Sequence, residues 1–361
     1  MTTHSAQAEA TATSQAQRYS LTDLGDLGGG DSDGWGINNS GEVVGSSTMS
    51  DHYRYASLYN PQNSTSMRAL TRVYVGAQRN GVARAYDIND SEQIVGQDGF
   101  SRGFSLVNAT NALTPLDAYT KIAQSIGYAI NSSGVVVGLA GNGSGQVATL
   151  WHGHTPMSLN DAWKGSDPIA NNSIAWDIND SGQVVGHAIF KDKNLLGYTR
   201  AFLYSDANMD QLPVLGTGHD SRAFGINNSG QVVGESNFAR GNVAVHAFLY
   251  TNGGMKDLNS TMEILSGPNG TPITSITNSS AKGINKFGHV VGWFNVAGYQ
   301  RRAFFYKDGI MHDLNTMLGS GGTGWTLVEA RAINDRCQIV VNALNKVGAR
   351  HALLLTPISC P

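Results

Sequence analysis

His187, His219 and Glu235 are the side chains best suited to moving protons, and Asp220 and Arg222 stand between the last two. An imidazole changes charge near neutral pH and a carboxylate can orient it, so this set could act as a catalytic acid-base pair or hold a divalent metal ion. The competing reading is of isolated polar residues on the surface. A second set is cationic. Lys282 and Arg331, with Glu329 and Asp33 in neighbouring places, suit the capture of a carboxylate or other anion, or else form a solvated salt bridge. Tyr86, Arg222 and Trp293 join them as candidate ligand contacts. The chain has no nucleophile elbow, His-Glu-x-x-His, phosphate loop or dinucleotide fingerprint. No nucleotide or flavin is therefore expected, and a divalent metal is the one cofactor under consideration.

The elements that must position these residues follow from composition and repetition. The chain has 361 residues, 24 Lys+Arg against 27 Asp+Glu, and only 14% charged residues. So weak a charge gives no drive toward a phosphate backbone or an anionic bilayer, which argues against nucleic acid partners. No apolar run is long enough to span a membrane. With 44 glycines and 9 prolines, abundant Asn and Ser, and short Val-rich runs, the class is all-β.

One phrase recurs seven times. It reads Gly36-Ile37-Asn38-Asn39-Ser40-Gly41-Glu42-Val43-Val44-Gly45 in its first copy, and its Asn returns at 89, 131, 179, 227, 285 and 334. Each copy predicts a hairpin with a tight Asn/Asp-Ser-Gly turn, strands a and b. A third strand, c, follows, as in Arg200-Ala201-Phe202 or His246-Ala247-Phe248, and then a fourth, d, near an Asp-Leu or a bare Leu. The last copy lacks its fourth strand, and the matching segment, Tyr19 to Leu24, stands near the N-terminus. A unit of about 49 residues cannot bury both its faces, so copies must stack. The expectation is a single seven-bladed β-propeller over 18–361, closed by the N-terminal strand completing the last blade, with residues 1–17 as a disordered tail. An open solenoid is the competing fold.

The phrase and its His-Ala-Phe or Arg-Ala-Phe sequel resemble the bacterial HAF repeat, a probable extracellular repeat. That resemblance covers all seven units and implies a secreted or periplasmic location, but it brings no catalytic residues.

Sevenfold sameness marks scaffold, so function is sought where the copies differ. The position two before each Ile reads Trp35, Tyr86, Tyr128, Trp176, Phe224, Lys282 and Arg331; the residue after Val-Val-Gly reads Ser46, Gln97, Leu139, His187, Glu235, Trp293 and Asn342. Both sets fall toward the rim of long d-to-a and b-to-c loops, the expected site. Two functions fit: a ligand-binding module for a saccharide or other polar or carboxylate molecule, and a propeller lyase or hydrolase working at the same rim. A monomer is expected. Cys337 and Cys360 are expected to form a disulfide in an oxidising compartment.

Overall fold

The computed structural model describes residues 19–70, 73, 82–107, 112–121, 123–194, 197–239, 244–261, 265–266, 272–273, 276–296, 301–318 and 322–358. The expected tail, and Cys360 with the disulfide expected of it, lie outside the described residues. Cys337 itself is buried.

Each Ile-Asn phrase forms the hairpin its residues dictate. In the fifth unit Ser221–Ile226 pairs antiparallel with Val232–Asn237, then come Val245–Thr251 and Gly254–Asp257, in that spatial order. The same four-stranded antiparallel plan recurs along the chain. A single parallel pairing of Gln146 with Asn172 joins the third and fourth units into one eight-stranded sheet. Tyr19–Asp23 pairs with Arg350–Pro357 in the last unit, so the earliest described strand lies in the same sheet as the latest.

The turns are tied to one another as well as closed on themselves. In each turn the repeated Asn accepts, through its side-chain oxygen, from two backbone N–H groups downstream; Asn227 accepts from Ser229 and Gln231 at 3.1 Å each. Its amide then donates across to the carbonyl of the next unit's Asn. These bonds run from Asn38 to Asn89, Asn131, Asn179, Asn227, Asn285 and Asn334, and Asn334 donates at 3.0 Å back to Asn38. The turn role was legible in sequence; the circuit was not. A second recurrent tie uses a Ser five residues before the Ile. The Ser221 and Ser279 hydroxyls accept from the N–H of Ala201 and Ala247 in the preceding units, and Ser32 accepts from Ala352 at 3.0 Å.

The residue opening Ala-Phe is scaffold too. His246 meets Asp257 at 2.8 Å, Arg302 meets Asp313, and His351 meets Asp23 at 3.1 Å, so in these three units the slot clasps the Asp of strand d, while Arg200 donates to the His219 carbonyl and Tyr55 to Asp51. The Met of strand d is core at Met67, Met209 and Met311, whereas Met157 is exposed.

The Gly of Val-Val-Gly has a steric cause. At Gly234 a Cβ would be driven into the carbonyl oxygen of Arg222 on the paired strand. The seventh unit carries Val341 there, paired with Ala330. Gly234→Ala is therefore expected to destabilise the protein by about 2–3 kcal/mol, since the obstacle is backbone. Thermal melting checks it, with Gly253→Ala, where nothing lies within 4 Å but φ is +83°, as the milder control.

Candidate functional site

Strand a carries the site because it bulges. In the second unit register shifts between Ala85 and Asp87, and in the fourth between Ala175 and Asp177. A bulge breaks the two-residue alternation of faces, so both Tyr86 and Asp87, and both Trp176 and Asp177, line one cavity of about 200 Å³.

The residues two before each Ile form its neck. Trp35 meets Tyr86 at 5.3 Å between ring centres, Tyr86 meets Tyr128 at 5.0 Å, Tyr128 meets Trp176 at 4.4 Å and Trp176 meets Phe224 at 5.7 Å. The two cations complete the series. Lys282 Nζ stands 3.5 Å from the centre of the Phe224 ring and the Arg331 guanidinium 4.2 Å from that of Trp35. An aromatic face attracts a desolvated cation, which explains how cations take places that elsewhere hold rings.

Around the neck lies a charge network. Arg331 Nη2 is 3.1 Å from Glu329, which Arg301 and Arg350 also approach at 3.8 Å. Asp33 receives both Arg54 and Arg350. Arg222 pairs with Glu235 at 3.1 Å. Burial pushes the Lys282 amine down to about 8, despite the nearby Glu235. Burial likewise lowers Arg331, and Glu329 opposes that shift. The Nε of Arg331 and the indole N–H of Trp35 are buried without a hydrogen-bond partner among the described residues. The neck thus offers unused donors beside two cations.

Below the neck, Asp87 accepts from the N–H of Ile130 at 3.0 Å, and Asp177 from that of Ile226 at 2.8 Å. Burial raises the Asp87 carboxyl to about 7 and that of Asp177 to about 8, the second helped by repulsion from the first.

The structure places the sequence-derived acid-base set on separate partners. His187 accepts through Nδ1 from the Trp176 indole at 3.0 Å, and burial, then Arg222, lowers its pKa to about 3, so it is neutral. His219 lies 3.6 Å from Asp220 and edge-on to Tyr198. Glu235 faces Arg222. Among the described residues no three His, Cys, Asp or Glu side chains gather as a metal site. Trp293 lies under Arg301, 3.8 Å from ring centre to guanidinium. Tyr86, Lys282 and Arg331 do share the neck, with Asp33 and Glu329 in the network above it.

Sequence comparison missed Arg54, Arg301 and Arg350. All three occupy one repeat position, immediately before the His, Arg or Tyr of strand c, and a comparison at that slot would have found them.

The fold is that of a β-propeller. The virginiamycin B lyase of Staphylococcus aureus superposes with a TM-score of 0.51 at 11% identity over 94% of this chain and 100% of its own. The acylaminoacyl peptidase of Pyrococcus horikoshii does so at 0.53 and 9%, over 94% of this chain and 54% of its own. YCF48, in complex with the D1 peptide, gives 0.50 and 9%, over 96% and 98%. Likeness at such identities shows the fold alone. No curated protein matches the chain. A family model described as protein of unknown function, DUF3466, matches residues 142–352, more than half of the chain, which therefore belongs to that family. This corrects the resemblance to the HAF repeat: the short phrase is a structural turn and strand pattern, and the family match lies elsewhere. No helix among the described residues is long and apolar enough to cross a membrane.

Proposed function

We propose that the chain is a seven-bladed propeller, closed by Tyr19–Asp23, that works as a binding module for a small carboxylate ligand held at its neck. The Asn circuit that returns from Asn334 to Asn38 supports seven closed blades. The single observation that carries the binding reading is the pair Lys282 and Arg331, side by side in an otherwise aromatic series, with the Arg331 Nε unpartnered. Placing two cations in a confined site is unfavourable unless an anion compensates them, and Glu329 bonds to only one of them. A cavity of about 200 Å³ is below the range of roughly 300–1,000 Å³ that drug-sized ligands fill, which favours a compact acid over an extended saccharide. The enzyme reading has less support: His187 is neutral and accepts from the Trp176 indole, Glu235 is paired with Arg222, and His219 lies beside Asp220. The module acts outside the cytoplasm, which fractionating cells that express the native gene product tests.

Calorimetric titration with short carboxylates tests the site. Lys282→Met with Arg331→Met is expected to weaken binding at least a hundredfold, since each charge-assisted bond contributes about 1.5–3 kcal/mol. In the parent protein affinity is expected to fall as pH rises through about 8, where Lys282 loses its proton. Unchanged affinity in the double variant would reject the neck as the site.

A further inference from the structure

The neck cavity has two chemically opposite walls. Lys282 and Arg331 come from the sixth and seventh units. Asp87 and Asp177 come from the second and fourth, flanking Ala129 of the third. In a ring of seven, the third unit stands directly across from the junction of the sixth and seventh. Cations therefore face carboxyls across the cavity, and the rings of Tyr86, Tyr128 and Trp176 line the carboxyl side.

A cation on that side, Arg84, hydrogen-bonds to Tyr86 and not to the two carboxyls. Their hydrogen-bond partners are backbone N–H groups: Ile88 and Ile130 for Asp87, and Ile178 and Ile226 for Asp177. No salt bridge to either is found among the described residues. The aromatic faces beside them have the electrostatics that hold ammonium groups, most of all substituted ones, in a desolvated site. On the far wall the unpartnered Arg331 Nε and Trp35 indole N–H supply directional donors for a carboxylate, which Lys282 and the guanidinium reinforce by charge.

We propose that the ligand is a small zwitterion, its carboxylate on Lys282, Arg331 and Trp35, and its ammonium group in the cavity against Tyr86, Tyr128 and Trp176, beside Asp87 and Asp177. This rests on the carboxylate reading of the neck and adds the cationic half of the ligand. The volume limits that ligand to a compact amino acid or betaine. Burial holds the two carboxyls near neutral-range pKa values, so an arriving ammonium group ionises them and expels protons to solvent.

Three probes of nearly equal shape decide it: glycine betaine; 3,3-dimethylbutanoate, in which carbon replaces the nitrogen; and choline, which has the ammonium without the carboxylate. Titrated into the full chain at pH 6.5, glycine betaine is expected to bind at least tenfold more tightly than either of the others. Its binding heat is expected to vary with the ionisation heat of the buffer, revealing released protons, while that of 3,3-dimethylbutanoate varies far less. In Asp87→Asn with Asp177→Asn the preference for betaine over 3,3-dimethylbutanoate is expected to vanish. Equal affinity of the two carboxylates in the parent, with no proton release, overturns the zwitterion and leaves the carboxylate site standing. Choline binding as tightly as betaine, or no binding by either carboxylate, overturns both. The proton measurement needs no variant, so it decides the matter even where a substituted chain does not fold.

Discussion

A chain lacking residues 19–24 is expected to lose cooperative folding at room temperature. Tyr19–Asp23 pairs along its whole length with Arg350–Pro357. It carries two fully buried apolar anchors: Tyr19, edge-on to Phe305 at 6.1 Å, and Leu24. Burying two such side chains contributes about 1.5–3 kcal/mol each. The ladder hydrogen bonds add roughly 0.5–1.5 kcal/mol apiece, and Asp23 closes the His351 contact. The sum approaches the roughly 5–15 kcal/mol that separates folded from unfolded domains. Removal also leaves Leu353 and Leu355, both buried, on an open sheet edge, where aggregation begins. A peptide spanning 18–25, added in trans, is expected to restore a melting transition by adding itself as a strand. A truncated chain that melts like the parent would show that the strand contributes nothing to closure, and with it the proposed ring would fall.

That strand was legible before any coordinates, because the count of c strands exceeded the count of d strands that follow them by one. The turns were legible for a similar reason: Asn, Ser and Gly in fixed order have few backbone conformations available. What stayed hidden was anything that depends on how neighbouring units face each other. The Asn amide reaching to the next turn, the Ser hydroxyl reaching to the preceding Ala, and the Arg54 and Arg350 clasp on Asp33 join residues that stand far apart in the chain. Asp87 and Asp177 were hidden by parity. A regular strand that sends Tyr86 inward sends Asp87 outward, and nothing in the residues announces the bulge that brings both to one cavity. The comparison of equivalent positions succeeded at Lys282 and Arg331 because the exception there is one of charge, which shows without geometry. It placed His187, His219 and Glu235 together only by proximity in sequence, and their observed partners differ.

The two channel carboxyls give the second large expectation: replacing Asp177 by Asn, and more so replacing Asp87 as well, is expected to stabilise the empty protein at alkaline pH and change it little at acidic pH. An aspartate whose folded pKa is raised from 3.8 to about 7 or about 8 binds its proton more tightly folded than unfolded. Its contribution to stability is fully present below about 3.8 and is lost as pH rises through 7 to 8, because the unfolded chain ionises freely while the folded one must ionise a carboxyl in a desolvated channel. Each tenfold gain in proton affinity on folding corresponds to about 1.36 kcal/mol, so ionised Asp177 should cost the fold roughly 5–6 kcal/mol at pH 9. The Asn amide resembles the protonated carboxyl and keeps an oxygen for the Ile226 N–H, so it removes that cost without opening a cavity. Lys282 acts in the opposite sense, since its folded pKa of about 8 lies below the unfolded 10.5 and its burial becomes less unfavourable as pH climbs through that interval. The comparison is therefore cleanest between pH 5 and 8, where Lys282 is protonated in the unfolded chain and largely so in the folded one. Melting temperatures of parent and variant should diverge across that interval, with the variant higher, and the gap should hold constant above about pH 8. Parallel curves across that range would mean that both carboxyls ionise as freely folded as unfolded, and the channel would then be wet enough at Asp87 and Asp177 that no ammonium group is needed to balance them.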